Sequence, residues 1–555
     1  MNLSVIVPTH ARPERLRDCL LGLNRQCLAA SEFEVIVVVD GESETTRQVL
    51  ASLAVGYRLR ICWQARLGQC AARNRGAAEA AGDYLLFLDD DVRPGRDLLA
   101  VHLQAQRTRG GVVGLGQLTM GSLPPGASGL TRYAAHMWNE HYARLNTGYR
   151  QPEWRDCYTG NLSVPRAAYL AVGGLADDLP VRFDLDLGYR LERYGLQFVY
   201  LPEARGEHND YKDFSTLARA VEAHGEASVE LCRRHPAMRP ELIGRFGEMS
   251  GRASVFIQAL VLLDISSGLL AFLSRLLGGR AAQTGWYACL FRYFYWRGVR
   301  RALPDGGAWR RITARTPVLM YHAFSDTEPP SRYIVTRRQF ERQMRWLKLT
   351  GRQVLSLEEY LALREAGQFP PPRSVVISAD DGYADFATQA FPVLRKHGFP
   401  ATVFIVSGKT GGANDWDQSG PLVGRPLLGW GDMRGMLPFG ISFGAHTRTH
   451  PRLPALTCEE AQAEIAASRT DLEHALGRSV RVFAYPHGAN DVVTRSLVAQ
   501  AGFAAACSVH SGANTLSTPD LALRRIEVAG TDSMLRFVLA LWLGDDRLAR
   551  RRWAE

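Results

Sequence analysis

No pair of cysteines in this chain has the C-x-x-C spacing; the nine present are scattered. That suits a reducing compartment and argues against a disulfide scaffold. The first residues, Met1 to Pro8, lack a basic segment followed by a long apolar run, so they read as a β-strand and no cleaved signal peptide is expected. No helix-turn-helix, zinc-finger or RNA-binding signature occurs, so nucleic acid is not expected as a partner. There is no long internal repeat and no low-complexity tract. What is there is a chain of 555 residues, 46% hydrophobic and 22% charged, with a net charge of +10. It is globular and too long for one ordinary core, so two or three domains are expected. The basic balance suits anionic partners such as nucleotide phosphates or acidic lipids.

The first two hundred residues alternate apolar runs (Leu3 to Val7, Glu34 to Val39, Tyr84 to Leu88) with stretches of helical spacing (Arg15 to Gln26, Gln69 to Ala81). This predicts an α/β domain with a largely parallel sheet. Asp40 and Asp89 fall at strand ends, where such sheets gather ligands. Residues 215–245 read as charged helix. Val255 to Leu277 is long enough to cross a bilayer, but Gln258, Asp264 and Arg275 interrupt it. A charge near the centre costs about 2.5–3.5 kcal/mol, which favours a membrane-surface or buried helical hairpin over a span. Trp286 to Trp296 is aromatic and flanked by Arg292, Arg297, Arg300 and Arg301. That pattern suits the headgroup layer, and equally a packed helix with a solvated basic face.

Pro304 to Gly307 reads as a linker. Beyond it, Val318 to Tyr321, Ser374 to Ile377, Ala401 to Val406, Ile441 to Gly444 and Val482 to Tyr485 read as strands, between helices such as Thr336 to Thr350 and Cys458 to Leu476. This predicts a second α/β domain with a barrel-like parallel sheet. Met534 to Leu543, followed by Arg547, Arg550, Arg551 and Arg552, reads as a terminal helix or a surface anchor. The expected organisation is a domain over 1–245, a helical linker over 246–315 that is a candidate for membrane contact, and a second domain over 316–555.

Transfer of a sugar from a nucleotide leaves a diphosphate, and clustered carboxylates at a strand end can hold a divalent ion that absorbs its charge. Leu86 to Val92 contains the triplet Asp89-Asp90-Asp91 in that setting, although an acidic triplet alone is also what a solvated turn looks like. Its surroundings add to it. Ser4-Val5-Ile6-Val7-Pro8-Thr9, Val37 to Gly41 and Gly68 to Gly76 precede it; Gly160-Asn161-Leu162-Ser163 and Phe183 to Leu191 follow. This ordered series, over roughly residues 1 to 210, resembles the family 2 glycosyltransferases, which have a GT-A fold. The resemblance implies a nucleotide-sugar donor and an ion, Mg2+ or Mn2+. Asp40 would contact the base, and Arg73 and Asn74 would lie near the nucleotide. Asp89 and Asp91 match D-x-D, with Asp91 as direct metal ligand, and His208 would complete the metal site. Asp184 matches the base that deprotonates the acceptor in an inverting displacement. Phe183 departs from the usual Glu before that Asp, so acceptor contacts would differ. Asp186 keeps an acid two residues on, and a carboxylate in a first helical turn also suits the dipole.

Amide hydrolysis needs an activated water, a base and an oxyanion stabiliser. His446 and His450 are four apart, which on a helical turn puts both imidazoles on one face. Alone, this is equally the pattern of structural histidines. Asp380-Asp381-Gly382 ends an apolar run upstream and supplies two carboxylates, one to share a metal and one to take a proton. With Val318 to His322, Ser378 to Gly382, Arg481 to Gly488 and Arg524-Arg525-Ile526, these segments resemble the polysaccharide deacetylases of carbohydrate esterase family 4, from about 316 to 530. The resemblance implies a distorted (β/α) barrel. Asp380 would be the general base, with Asp381, His446 and His450 holding Zn2+ or another divalent ion. Tyr485 would shape the groove, with a nearby backbone N–H in the oxyanion hole. Three departures stand out. Ala379 replaces the usual Phe. Ala484 stands where many members carry an Arg that orients the base, which makes Arg525 the candidate substitute. No clear L-x-H element supplies a general acid, leaving His510 and His487 as candidates; His322 could line the cleft or cap its strand.

The expected function is a bifunctional carbohydrate enzyme. One half would transfer a sugar to a glycan or lipid-linked acceptor; the other would remove an N-acetyl group from an amino sugar. The expected place is the cytoplasm, with the inner membrane face as a candidate surface. The alternative keeps only one domain catalytic and makes the other a carbohydrate-binding or scaffolding module.

Overall fold

Eight strands form around the apolar runs of the first two hundred residues: β1 (Leu3–Thr9), β2 (Phe33–Asp40), β3 (Arg58–Gln64), β4 (Tyr84–Leu88), β5 (Val92–Pro94), β6 (Val113–Met120), β7 (Asn161–Pro165) and β8 (Phe198–His208). Their spatial order is β3-β2-β1-β4-β7-β6-β8-β5. The first four are parallel, and β1 and β2 are buried along their whole length, as strands covered on both faces are. The expected largely parallel sheet is found: β6 and β8 pair parallel, and only β7 and β5 run against the other six strands. β7 runs antiparallel to both β4 and β6, and β5 antiparallel to β8. The reversal has a use: it sets Asn161 beside Leu88, and Gly160 O accepts from Asp89 N–H at 3.3 Å.

The structure, a computed structural model, describes residues 2–209, 211–248, 251–276 and 280–544. The chain divides into two units, Met1–Leu231 with Leu260–Ala302, and Cys232–Ala259 with Leu303–Glu555. Residues 246–315 are thus shared between them. The apolar stretch read as span or hairpin forms two helices, Gly251–Leu263 and Ser267–Leu276. They break at Asp264, which has φ 49° and pairs with Arg297 (2.5 Å). Among the described residues no helix is long and apolar enough to cross a membrane. Leu277, the last residue of the expected stretch, lies outside the described residues. The aromatic segment belongs to a longer helix, Arg280–Ala302. Pro304 to Gly307 lies next to the boundary between the units at Ala302 and Leu303 and also begins a helix: Asp305 Oδ1 accepts from Ala308 N–H at 2.7 Å and caps the helix Gly306–Ile312. Met534–Leu543 is a helix; the four arginines after it lie outside the described residues.

Ten further strands follow: β9 (Val318–Tyr321), β10 (Ala323–Phe324), β11 (Ile334–Val335), β12 (Gln353–Leu355), β13 (Ser374–Ala379), β14 (Ala401–Ile405), β15 (Ile441–Ala445), β16 (Val482–Ala484), β17 (Ala505–Ser511) and β18 (Leu523–Glu527). β13 to β18 run in order and parallel, β18 pairs with β9, and β9 pairs back to β13. This closes a seven-stranded parallel barrel, with β12 added beside β13. One alternate set of side chains (Val318, Val376, Phe404, Val482, Cys507, Leu523) clusters together, as the period of two requires. Gly444 is needed there because a Cβ would stand 2.6 Å from the Phe404 ring and 2.9 Å from Val482.

Candidate active sites

In the first unit the carboxyl ends of β1, β2 and β4 meet around a cavity of about 350 Å³, lined among others by Asp40, Arg73, Asp89 and Asp91. Asp40 ends β2. Its Oδ1 accepts from Gln64 Nε2 (2.9 Å) and Leu67 N–H (2.8 Å), and its Oδ2 from Gly68 N–H (2.9 Å). Burial raises its pKa, but these bonds outweigh it and hold the carboxyl below its ordinary value. Arg73, buried on the helix Gln69–Glu79, donates to Asp89. Asn74 does not line the cavity. Its amide donates to Leu175 O and Asp177, and its carbonyl accepts from Tyr169 OH and Leu175 N–H, so it braces the 169–177 segment.

Asp89, Asp91 and His208 each offer a donor atom within 4.8 Å of the others. His208 reaches them because β8 pairs with β5, setting it opposite Val92. Its Nε2 lies 3.1 Å from Asp91 Oδ1, a buried oxygen that accepts no aligned hydrogen bond. Two carboxylates and an imidazole with a buried, unaligned oxygen between them fit a divalent ion with oxygen-rich ligation. Arg12, which sequence reasoning passed over, donates to Asp91 Oδ2 at 2.9 Å. Asp90 points elsewhere, accepting from Thr9 Oγ1 at 2.6 Å, and burial pushes its pKa up to about 6.

Asp184 opens the helix Phe183–Arg193, after Arg182 in the left-handed region (φ 60°). Burial is the main cause that pushes its pKa up to about 6. The carboxylate is thus poised near neutrality, where a base is most effective. Asp186 is bound by Arg190 at 2.6 Å and serves the helix.

In the second unit the barrel strands bring the expected residues to their carboxyl ends, around a cavity of about 460 Å³. Asp380 and Asp381 follow β13; Asp381 has φ 68°. His446 follows β15. The pair His446 and His450 does not ride on a helical turn as expected. Thr447 (φ 63°) and His450 (φ 67°) fold the loop back, and the Glu464 carboxylate accepts from Arg448 N–H (2.8 Å) and Thr449 N–H (2.9 Å). The imidazoles converge all the same: each Nε2 lies 3.4 Å from Asp381 Oδ1. Ligands about 2.1 Å from a tetrahedral ion stand about 3.4 Å apart, so this donor set fits one. His446 Nδ1–H donates to Ala484 O at 2.7 Å, which fixes the tautomer and leaves Nε2 for the ion. Burial opposes ionisation, yet the two imidazoles hold Asp381 well below the usual carboxylate range.

Asp380 sits beside this trio, gripped by Arg525 from β18 through bonds of 2.6 and 2.7 Å. Burial would raise its pKa; Arg525, joined by His446 and His322, outweighs that and keeps it below the ordinary value. The arginine paired with this carboxylate thus comes from β18, and position 484 is an alanine. Tyr485 lines the cavity. Its own N–H donates to Cys507 O (3.1 Å) and its hydroxyl to Leu521 O (2.9 Å). His322 and His487 line the cavity, and His510 does not. Trp416, unnoticed in the sequence, covers His450 with ring centroids 4.9 Å apart. Nothing in its local sequence marks it; the loop after β14 brings it there.

Comparison with known proteins matches both halves. Residues 4–171 match the model of glycosyl transferase family 2, and residues 368–506 that of polysaccharide deacetylase. A validoxylamine A glucosyltransferase of Streptomyces hygroscopicus subsp. jinggangensis is 29% identical over 270 residues, 43% of this chain and 62% of its own length. This chain therefore spans less than two thirds of that relative. A poly-β-1,6-N-acetyl-D-glucosamine N-deacetylase of Staphylococcus aureus is 27% identical over 230 residues, 40% of this chain and 76% of its own length. The chain is an enzyme of two parts, joining a glycosyl transferase family 2 domain at its N-terminal end to a polysaccharide deacetylase domain at its C-terminal end.

Proposed function

We propose that the first unit transfers a sugar, with inversion, from a nucleotide sugar to a glycan or lipid-linked acceptor, and that the second removes the N-acetyl group of an amino sugar. In the transfer, Asp184 takes the proton of the acceptor hydroxyl. The freed oxygen bonds to the anomeric carbon while the bond from that carbon to the diphosphate oxygen breaks, and the nucleoside diphosphate leaves with the electron pair. Asp89, Asp91 and His208 would hold the ion, Mg2+ or Mn2+, which when bound neutralises charge on the leaving diphosphate. Asp40 and Arg73 would bind and orient the nucleotide.

In the hydrolysis, Asp380 takes a proton from water as its oxygen adds to the amide carbon. The C–N bond then breaks as the nitrogen takes up that proton, so that the amine leaves neutral and the new carboxyl departs as acetate. Asp381, His446 and His450 would hold zinc or another divalent ion, which supplies a polarised carbonyl and an acidified water. Arg525 acts through Asp380, fixing its aim and keeping it ionised. A nucleotide-sugar donor suits work in the cytoplasm, at the inner membrane face.

The observation that carries the reading is the pairing of Arg525 with Asp380 beside a three-donor cluster. Against the alternative of a second domain without catalysis stands the fork of Arg525 on Asp380, which supports a working base there. The test is to incubate the full chain and zinc with β-1,6-linked N-acetylglucosamine oligomers and assay new primary amines. Amine formation that stops on chelation and returns with metal supports the reading; no amine from this or any other N-acetylated glycan refutes it.

A further inference from the structure

A second cavity of the first unit, about 680 Å³, opens beside the D-x-D cluster, and His208 belongs to both. Its walls are largely apolar: Tyr133, Met137, Trp138, Leu217, Val221 and Phe291 line it. Among the described residues its ionic lining is Arg144, Arg150, Lys212 and Arg292 with the carboxylate of Glu140. Asp156 matches Arg150 and Glu140 lies 3.9 Å from Arg144, while Arg292 is exposed and sets a positive charge at the rim. A sugar could stack on one of these rings but would leave the aliphatic walls (Met137, Leu217, Val221) unmatched; a chain with an anionic head matches both features.

The wall at Ala288, Phe291 and Arg292 is one face of the helix Arg280–Ala302. Another face of the same helix holds the hairpin that begins before Asp264. Trp286 Nε1–H donates to Ser274 Oγ (2.8 Å), Tyr293 OH to Ile265 O (2.6 Å), and Arg297 to Asp264 (2.5 Å). That hairpin turns Leu262, Leu263, Leu269, Phe272, Leu273 and Leu276 outward, each 37% to 71% exposed. A run of exposed leucines with basic and aromatic residues nearby is the composition of an element lying in a bilayer interface.

We propose that this cavity takes the apolar chain of a lipid-phosphate acceptor, drawn from a membrane on which the outer face of the hairpin rests. The proposal rests on the transferase reading and narrows its acceptor to the lipid-linked class. Arg292 at the rim would meet the phosphate, and the chain would lie between Trp138, Val221 and Phe291, next to His208 and the donor.

The test uses the full chain and farnesyl phosphate as probe, with binding followed by calorimetry. Farnesyl phosphate should bind at least about tenfold tighter than farnesol, and inorganic phosphate should not displace it. Ala288→Trp, which fills the cavity, and Arg292→Gln, an exposed change that leaves packing intact, should each weaken it about tenfold. On the same preparations, Mn2+-dependent binding of uridine, guanosine and thymidine diphosphates is measured. If a diphosphate binds but farnesyl phosphate binds no better than farnesol, or equally well to both variants, the cavity assignment is overturned alone. If no diphosphate binds, the transferase reading falls instead. Flotation with phosphatidylcholine–phosphatidylglycerol vesicles should be lost in Leu263→Asp/Phe272→Asp; undiminished flotation overturns the membrane contact.

Discussion

The guanidinium of Arg525 holds both oxygens of Asp380, Nη1 to Oδ1 at 2.6 Å and Nη2 to Oδ2 at 2.7 Å, from a side chain wholly inside the barrel. Such a fork fixes a carboxylate in direction as well as in charge. Arg525 is itself held by Ser508 O, which accepts from Nε at 2.9 Å. Removing it takes away the chief cause that lowers the pKa of Asp380, while burial continues to raise it. A base works only when ionised, so in Arg525→Met the acid limb of the deacetylation pH profile should move to higher pH. Arg525→Lys keeps the charge but loses the fork; its limb should move less, with kcat down about tenfold or more. Leaving a buried carboxylate unpaired also costs about 3–5 kcal/mol, so melting is measured alongside.

Transfer should have its own pH signature. Burial pushes Asp184 up to about 6, so transfer should fall as pH drops through about 6, whereas Asp380, held lower, stays ionised further into acid as long as excess zinc keeps His446 and His450 occupied. Asp184→Asn should lose about 10²–10⁴-fold in transfer with nucleotide binding retained. Parallel pH–rate profiles on one preparation check both.

Metal should stabilise the second domain. An ion that binds only the folded state raises stability by mass action, about 2.7 kcal/mol at a hundredfold excess over Kd. Zinc should therefore raise the melting temperature of the apo chain, and His450→Ala should abolish the increment. Metal content measured after dialysis should fall by one ion per chain in that variant.

Gly444 offers a structural control. A methyl there would meet Phe404 and Val482 at under 3 Å, inside a packed barrel. Gly444→Ala should cost about 1–3 kcal/mol, lower deacetylation through lost folding and leave transfer intact. Thermal melting with both assays separates these effects.

Much of the fold and of both sites is legible in the sequence, and the losses have identifiable causes. β2, β4 and β13 are apolar runs ended by acids and β1 is an apolar run ended by Pro8 and Thr9, so they announce themselves. β3 begins with Arg58 and is half exposed along much of its length at a sheet edge, so its pattern is mixed. β17 lacks a clear pattern because its residues Ala505 and Cys507 are small, and β18 is legible only through the resemblance carried by Arg524-Arg525-Ile526. The pairing of β18 with β9 in the closed barrel, which no local pattern announces, carries Arg525 to Asp380. The histidine spacing pointed to a helix, whereas two left-handed residues, Thr447 and His450, do the folding. Arg12 and Trp416 carry no local mark, since each acquires its place from a loop.

The central claim, two separate chemistries on one chain, is tested most directly by acetate release from an N-acetylglucosamine oligomer, measured for the zinc-loaded wild type, Asp380→Asn and Asp184→Asn. The account predicts release by the wild type, equal release by Asp184→Asn, and almost none by Asp380→Asn. Undiminished release by Asp380→Asn, or loss of release in a folded Asp184→Asn protein, would contradict it.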